Sequence, residues 1–236
     1  MPTADTPLLR DPRFKPVLPV ARPATQAGLR ASQLFWKRIL DLSIAFPLCL
    51  LCAPLAVLLC AWIRLGSTGA AIYRQTRVGF GGREFVLYKF RSMHLSPENP
   101  HSEYALHWIR GDQTARQPNG VFKLTTDCRI TRVGKFLRKY SLDELPQLLN
   151  VITGDMSLVG PRPAISYEVA QYEPWQRQRL HAPPGLTGLW QVSGRNHLSF
   201  ERMVELDLEY IRTWTLRSDL RILLQTIPVV LRGTGH

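Results

Sequence analysis

Two adjacent carboxylates, Asp143 and Glu144, stand out as residues that could do chemistry. Ser141 and Glu144 have the spacing of a helix capping box, whereas Pro146 offers an alternative helix start. Either start predicts that both carboxylates lie near the positive end of a helix, which favours their ionised form, and the neighbouring Arg138 acts in the same direction. Ionised carboxylates can bind Mg²⁺ through oxygen or attack an electrophilic phosphorus. The same spacing also fits an ordinary acidic helix cap, so both interpretations stay open.

Three cations occupy segments that could present them to an anion. Arg162 lies between two prolines in the sequence GPRP at 160–163, which restricts the local backbone. Arg195 follows a loop rich in proline and glycine, and Lys89 closes a predicted strand. A rigidly held guanidinium suits bidentate phosphate binding. From the residues alone, a structural ion pair explains either arginine equally well, and Lys89 could instead face solvent.

Several catalytic classes lack their sequence signatures in this chain. No G-x-x-x-x-G-K-[ST] loop occurs, which counts against a P-loop phosphotransferase, and no G-x-S-x-G elbow occurs, which counts against a serine hydrolase. The six histidines show no metal-site spacing. Composition points instead to anionic partners, because 30 lysines and arginines against 18 acidic residues give a net charge of +12. Such a charge favours nucleic acid, lipid headgroups or phosphorylated substrates.

The 236 residues suffice for one domain with an extension, and 45% hydrophobic residues exclude wholesale disorder. Residues 1–35 are predicted to be a flexible basic extension. Residues 36–236 form the predicted domain, which divides into a membrane segment at 36–66 and a cytosolic catalytic part at 67–236. The four cysteines do not form a disulfide framework, because three of them lie in one apolar run, and this favours a reduced, cytosol-facing protein.

A run of 22 uncharged residues at 42–63 is long enough to cross the roughly 30 Å hydrocarbon core of a bilayer. Basic residues flank it on both sides, so the positive-inside rule favours a cytoplasmic location for both ends. Pro47 and Pro54 lie inside the run, and an interior proline removes a backbone hydrogen bond and bends a helix. We therefore predict a re-entrant hairpin broken at these prolines. A single membrane span and a buried soluble helix stay open as alternatives.

The remaining elements predict an α+β catalytic part that is mostly helical. Short strands are predicted at 71–77 and 84–87, joined as a β-hairpin by a glycine-rich turn. Helical periodicity covers 134–151, 200–214 and 220–231, and residues 95–120 are predicted to be a surface loop. The segment 218–232 has an apolar body framed by arginines, which fits an interfacial amphipathic helix, with a core helix as the near alternative.

Six sequence blocks, taken in order, resemble the bacterial sugar transferase family of small monotopic phosphoglycosyl transferases. Each block alone is modest, but six in the family order are highly specific, and they run from about Trp36 to Leu231. The details are most similar to the short members that initiate exopolysaccharide synthesis with galactose 1-phosphate. The blocks are KRxxD at 37–41, YKFRSM at 88–93, DxRxTRxG at 127–134, SLDELPQLLN at 141–150, GDMSLVGPRP at 154–163 and PGLTGLWQVSGRN at 184–196.

The resemblance implies a two-step transfer. Asp143, at the family's nucleophile position, would attack the β-phosphorus of a UDP-hexose and release UMP, after which polyprenyl (undecaprenyl) phosphate would take over the sugar phosphate. Glu144 would complete a dyad with Asp143, and both would serve as ligands of a Mg²⁺ cofactor. The resemblance further implies that the phosphate-binding residues are Arg138, Arg162, Arg195 and Lys89. The residues that it implies organise the site are Asp207, Asp219 and Gln191.

The resemblance also implies a monotopic enzyme on the cytoplasmic face of the bacterial inner membrane. Its partners would be UDP-hexose, polyprenyl phosphate and membrane lipid, without nucleic acid, while a homo-oligomer, the sugar and the polymer stay open. Many family members have Ser-Pro at the hairpin break where this chain has Ala53 and Pro54, so the bend here would depend on the prolines. The rival hypothesis is a membrane-anchored basic module that binds nucleic acid or an anionic polymer.

Overall fold

The computed structural model describes residues 29–94, 106–109 and 129–233. Most of the predicted N-terminal extension and of the predicted loop 95–120 lies outside these residues. Within them, helices and strands are mixed, as the α+β prediction requires, and the helices contribute most of the elements.

The N-terminal element is one helix of 36 residues, α1 (Ala31–Gly66), and both Pro47 and Pro54 lie inside it. Among the described residues it is the one helix long and apolar enough to cross a bilayer, by length and composition alone. Because α1 is continuous through the prolines, the structure does not separate two hairpin helices, and the re-entrant course stays a prediction.

The two ends of α1 are packed against the rest of the protein, whereas its middle is mostly exposed. Residues 46–58 contain no buried side chain, and most of them are exposed. Cys49 and Ala56 pack partly against the two hydrophobic cores. The buried residues lie near the two ends of the helix and are Lys37, Asp41, Ala45, Leu59 and Ile63.

The predicted β-hairpin is confirmed. Strands β1 (Ile72–Val78) and β2 (Glu84–Phe90) pair antiparallel across a 3-10 turn at Phe80–Gly82. Gly81 adopts φ 67° in this turn, a left-handed conformation that glycine reaches without a Cβ clash, which explains the glycine-rich sequence. Because β2 continues to Phe90 rather than ending at 87, Lys89 lies inside the strand.

The helical periodicity over 134–151 corresponds to two helices separated by a tight turn. Ser141 adopts φ 55° and its side chain makes no capping hydrogen bond, so the predicted capping box does not form. The alternative helix start is confirmed, because Pro146 directly precedes a helix. Asp143 and Glu144 therefore lie in a tight turn between two helices. The three elements are α2 (Arg132–Lys139), a 3-10 turn (Leu142–Glu144) and α3 (Gln147–Thr153).

A second pair of strands, β3 (Ser157–Val159) and β4 (Gly185–Thr187), runs parallel. A Cβ on Gly185 would lie 2.1 Å from the backbone nitrogen of Gly160, so only glycine permits this approach. The main hydrophobic core combines side chains of α3, β3 and the last helices. The helices of this half are α4 (Ser166–Gln171), α5 (Leu189–Ser193), α6 (Phe200–Arg212) and α7 (Leu216–Leu231).

The helices predicted at 200–214 and 220–231 are confirmed as α6 and α7. α7 begins earlier than predicted because Thr215 caps it, accepting a hydrogen bond from the Ser218 N–H. Asp219 and Ile222 are buried on one side of α7. The other side exposes four large apolar residues, so the protein leaves an apolar face of this helix uncovered; they are Leu220, Leu224, Ile227 and Leu231.

Candidate active site

A small, open cleft lies between the β-hairpin, the start of α3 and the 160–163 loop. Positive charge predominates in it, because three cations accompany one carboxylate, and this suits an anionic ligand. Two glutamines add polar groups, and apolar side chains and backbone complete the wall. The lining residues are Arg77, Lys89, Arg162, Glu144, Gln147, Gln191, Leu87, Pro163, Gly185 and Leu186.

Glu144 pairs with one cation at the cleft and interacts electrostatically with a second. Lys89 Nζ lies 3.0 Å from Glu144 Oε1 and links β2 to the 3-10 turn. The Lys89 and Glu144 side chains are 25% and 32% exposed. Water therefore screens the pair, and a ligand can compete for either group. Burial lowers the pKa of Arg195, and the charge of Glu144 opposes that shift. Arg195 Nε donates to the Gln191 carbonyl at 3.2 Å, which keeps the arginine beside α5.

Arg77 is the cation in the cleft that the sequence did not indicate as a site residue. Its side chain is buried, and its guanidinium donates to Gln75 Oε1 at 2.7 Å and to the Pro163 carbonyl at 3.1 Å. Burial lowers the pKa of Arg77 to about 10, and the charge of Arg162 acts in the same direction. A bound anion would stabilise both guanidiniums. No local motif marks Arg77, because the loop that buries it is 86 residues away in the chain.

Asp143 and Arg138 are not among the residues that line the cleft. Asp143 directly precedes Glu144 in the 3-10 turn and is partly exposed. Arg138 Nε donates to Ser92 Oγ at 3.0 Å, which links α2 to the segment after β2. Of the predicted phosphate-binding residues, the structure therefore brings Lys89 and Arg162 into the cleft.

Asp207 supports the 160–163 loop from behind the cleft. Arg179 Nη2 lies 2.6 Å from Asp207 Oδ2, and both side chains are almost fully buried. The same nitrogen donates to the Arg162 carbonyl at 3.4 Å. Burial raises the pKa of Asp207 to about 6, against the opposing charge of Arg179. This placement supports the organising role predicted for Asp207.

Asp219 lies outside the cleft, in a buried network that holds α1. Its carboxylate accepts hydrogen bonds from Lys37 Nζ at 2.7 Å, from the Tyr210 hydroxyl at 2.8 Å and from Trp214 Nε1 at 3.1 Å. The contacts of Asp219 therefore concern α1 rather than the cleft. Pro47 and Pro54 lie in the exposed middle of α1.

Two further residues of α1 fasten it to the catalytic part, and the prediction gave neither a role. Asp41 Oδ1 accepts hydrogen bonds from the Ser157 hydroxyl and the Leu158 N–H, each at 2.9 Å. Arg38 donates to the Ile152 carbonyl at 2.7 Å, near the end of α3. The KRxxD block was the signal that could have identified both.

Comparison with known proteins decides the family. The sequence profile described as "Bacterial sugar transferase" matches residues 32–233, which is most of the chain. The chain belongs to the bacterial sugar transferase family.

Three relatives illustrate the range of this family. The chain is 47% identical over 206 residues to the galactosyl transferase CpsE of Streptococcus agalactiae, covering 86% of this chain and 44% of that one. It is 44% identical over 208 residues to the undecaprenyl-phosphate galactose phosphotransferase of Salmonella typhimurium, covering 87% and 42%. It is 40% identical over 200 residues to the exopolysaccharide production protein ExoY of Rhizobium meliloti, covering 84% and 87%. The chain thus spans less than half the length of the first two relatives.

The predicted magnesium site would use the two carboxylates of the 3-10 turn. Asp143 and Glu144 are adjacent and offer the oxygen ligands that Mg²⁺ prefers. Within residues 29–94, 106–109 and 129–233, no group of three or more metal-ligating side chains occurs, so these residues do not form a cage of protein ligands. Two carboxylates fit an ion that completes its coordination with substrate phosphates and water.

Proposed function

We propose that this chain transfers a hexose 1-phosphate from a UDP-sugar to polyprenyl phosphate, releasing UMP, as the first membrane step of exopolysaccharide synthesis. The observation that carries the proposal is the cation-lined cleft, which abuts the Asp143–Glu144 turn. The names of the three relatives support galactose, undecaprenyl phosphate and exopolysaccharide as chemical classes.

In the first step, a carboxylate oxygen of Asp143 attacks the β-phosphorus of the UDP-sugar. A phosphorus–oxygen bond forms to Asp143, the bond to the bridging oxygen breaks, and UMP leaves with that oxygen. Arg77, Lys89 and Arg162 bind the diphosphate and stabilise the charge that develops on its oxygens. A covalent intermediate avoids bringing two phosphorylated substrates together at once.

In the second step, a phosphate oxygen of the polyprenyl phosphate attacks the same phosphorus and displaces the Asp143 carboxylate. Glu144, at the cleft and paired with Lys89, accepts a proton from the acceptor phosphate when that phosphate arrives protonated. A Mg²⁺ ion bound by Asp143 and Glu144 would supply further positive charge to the phosphates.

We further propose that α1 enters the membrane from the cytoplasmic face and returns to it. The buried residues at both of its ends support this course, because both ends contact the catalytic part while most of residues 46–58 are exposed. The exposed apolar face of α7, with Arg217, Arg221 and Arg232 nearby, supports an interfacial position for that helix.

Cysteine labelling tests this topology. In a background without native cysteines, we expect Ser32→Cys and Leu65→Cys to react with a membrane-impermeant maleimide in inverted membrane vesicles, where the cytoplasmic face is outside. Both positions are exposed, so protein packing does not shield them. Labelling of only one position in inverted vesicles, and of the other in spheroplasts, would show a single membrane span instead.

Release of UMP in the absence of any acceptor tests the function. The purified protein, given Mg²⁺ and UDP-galactose, UDP-glucose or an N-acetylated UDP-sugar, is expected to release about one UMP per active site and to carry a hexose phosphate on Asp143. Mass spectrometry of the peptides measures the adduct, and the sugar that gives the burst identifies the donor. UMP release that strictly requires polyprenyl phosphate would contradict the covalent route.

Arg77→Lys tests the residue that the sequence did not indicate. We expect KM for the UDP-sugar to rise about tenfold, equivalent to roughly 1.4 kcal/mol, because lysine cannot replace the fork of guanidinium donors. Arg74→Lys is the matched control, since Arg74 is exposed on the same strand, and its KM should change by less than about twofold. Equal KM values for the two variants would show that Arg77 does not bind the donor.

A further inference from the structure

Three aromatic side chains form a row between the membrane helix and the Asp143 turn. The ring centres of Trp62 and Phe136 are 5.5 Å apart, and those of Phe136 and Tyr140 are 5.2 Å apart. Trp62 and Phe136 are each more than 40% exposed, which is unusual for side chains of this size. We call Trp62, Phe136 and Tyr140 the aromatic row.

The two ends of the aromatic row have different surroundings. Trp62 lies in α1, and the exposed apolar residues Val57 and Leu58 precede it in the same helix. Tyr140 directly follows α2 and precedes Asp143 by three residues, and Lys139 Nζ lies 5.4 Å from the Tyr140 ring centre. The row therefore runs from an apolar, uncovered segment towards a cation and the proposed nucleophile.

The exposed charge along α2 is entirely positive. The helix, of sequence RVGKFLRK, contains no acidic residue, and Arg132, Lys135 and Lys139 are exposed. A lipid phosphate has an apolar tail followed by a negative headgroup. The aromatic row matches this order, because its apolar rings are followed by a cation. Ordinary bilayer lipid would also bury the exposed rings. It would not explain why the row of rings runs towards Asp143.

We propose that the aromatic row and Lys139 bind the polyprenyl phosphate acceptor, with the first isoprene units on the rings and the phosphate at Lys139. The inference rests on the proposed function, because it assigns the acceptor of that reaction. The rings provide rigid apolar faces for the isoprene chain, and Lys139 directs the phosphate to the turn that holds Asp143.

Trp62→Leu and Phe136→Leu test this site, with Trp36→Leu as the matched control. Trp36 is a tryptophan on the same helix with a similar exposed fraction, 54% against 45% for Trp62. We expect the first two variants to raise KM for polyprenyl phosphate about fivefold or more, and the control to change it by less than about twofold. Lys139→Gln should also raise KM about fivefold, unlike Lys135→Gln one turn away on α2.

Two further measurements separate the possible outcomes. Exchange of labelled UMP into the UDP-sugar needs no acceptor, so the exchange rate should be unchanged in all five variants. If the unmodified protein shows no exchange, the proposed function is contradicted, whereas the acceptor site is not. Binding to vesicles of phosphatidylethanolamine and phosphatidylglycerol should also be unchanged. An unaltered acceptor KM in Trp62→Leu and Phe136→Leu would overturn the proposal. A raised KM for polyprenyl phosphate that is accompanied by an equal loss of exchange or of vesicle binding would also overturn the proposal. The aromatic row would then stabilise the fold or contact lipid in general.

Discussion

Asp143→Asn is expected to reduce transfer of the sugar phosphate by about 10⁴-fold and to abolish the covalent adduct. The amide has nearly the shape of the carboxylate but carries no negative charge, so it does not attack the β-phosphorus. Because Asp143 lies in a partly exposed turn, the substitution should leave the melting temperature within about 2 °C. UMP release, acceptor transfer and peptide mass together measure the loss.

Asp155→Asn is the matched control for this variant. Asp155 is an exposed aspartate beyond the end of α3, where Thr153 Oγ1 donates to it at 2.8 Å. Its replacement should keep turnover within about twofold. Because deamidation of an asparagine would regenerate Asp143, Asp143→Ala should be measured in parallel. Turnover of Asp143→Ala within tenfold of the unmodified protein would exclude Asp143 as the nucleophile.

Asp219→Ala is expected to destabilise the protein by about 3–5 kcal/mol, because it leaves the Lys37 ammonium buried without its counter-charge. Lys37 and Asp219 are 1% and 0% exposed. The variant also removes the acceptor of the Trp214 indole N–H and one of the two acceptors of the Tyr210 hydroxyl. For a chain of this size the melting temperature in mild detergent should fall by roughly 10 °C.

An exposed ion pair provides the control for this prediction. Arg202 Nη1 lies 2.7 Å from Glu205 Oε2, with both side chains about half exposed. Glu205→Gln should change stability by less than about 1 kcal/mol, because water screens the pair. In the double variant Lys37→Met/Asp219→Leu neither member of the pair stays buried without its partner, so it should recover part of the lost stability. The recovery should be incomplete because the buried Asp41 carboxylate loses the favourable charge of Lys37. A melting temperature for Asp219→Ala equal to that of Glu205→Gln would show that the buried pair does not stabilise α1.

Local patterns predicted those parts of the fold that depend on neighbouring residues. Glycine-rich spacing predicted the hairpin of β1 and β2, and an uncharged run predicted the apolar part of α1. The capping box failed, because Ser141 adopts a left-handed conformation that spacing alone does not reveal. Asp143 consequently lies in a tight turn just before α3 rather than in the first turn of a helix.

Long-range packing decided which cations share the cleft. Glu144, Lys89, Arg162 and Gln191 were predicted as site residues and line it, whereas Arg138 is not among the lining residues. Arg77 was missed because its burial depends on Pro163, far along the chain. Asp219 was predicted to organise the site, but its contacts with Lys37 place it in the anchor of α1.

The sequence by itself determined the family, the candidate carboxylates and the presence of one long apolar segment, because ordered motifs and uncharged runs depend only on which residues follow one another. The tertiary structure decided the arrangement of charge around those carboxylates. The contact of Gly160 with Gly185 and the pairing of Val78 with Ala164 bring the 160–163 loop against β1. These contacts join residues that are distant in the chain. The presence of both Arg77 and Arg162 in the cleft therefore follows from packing and not from local spacing.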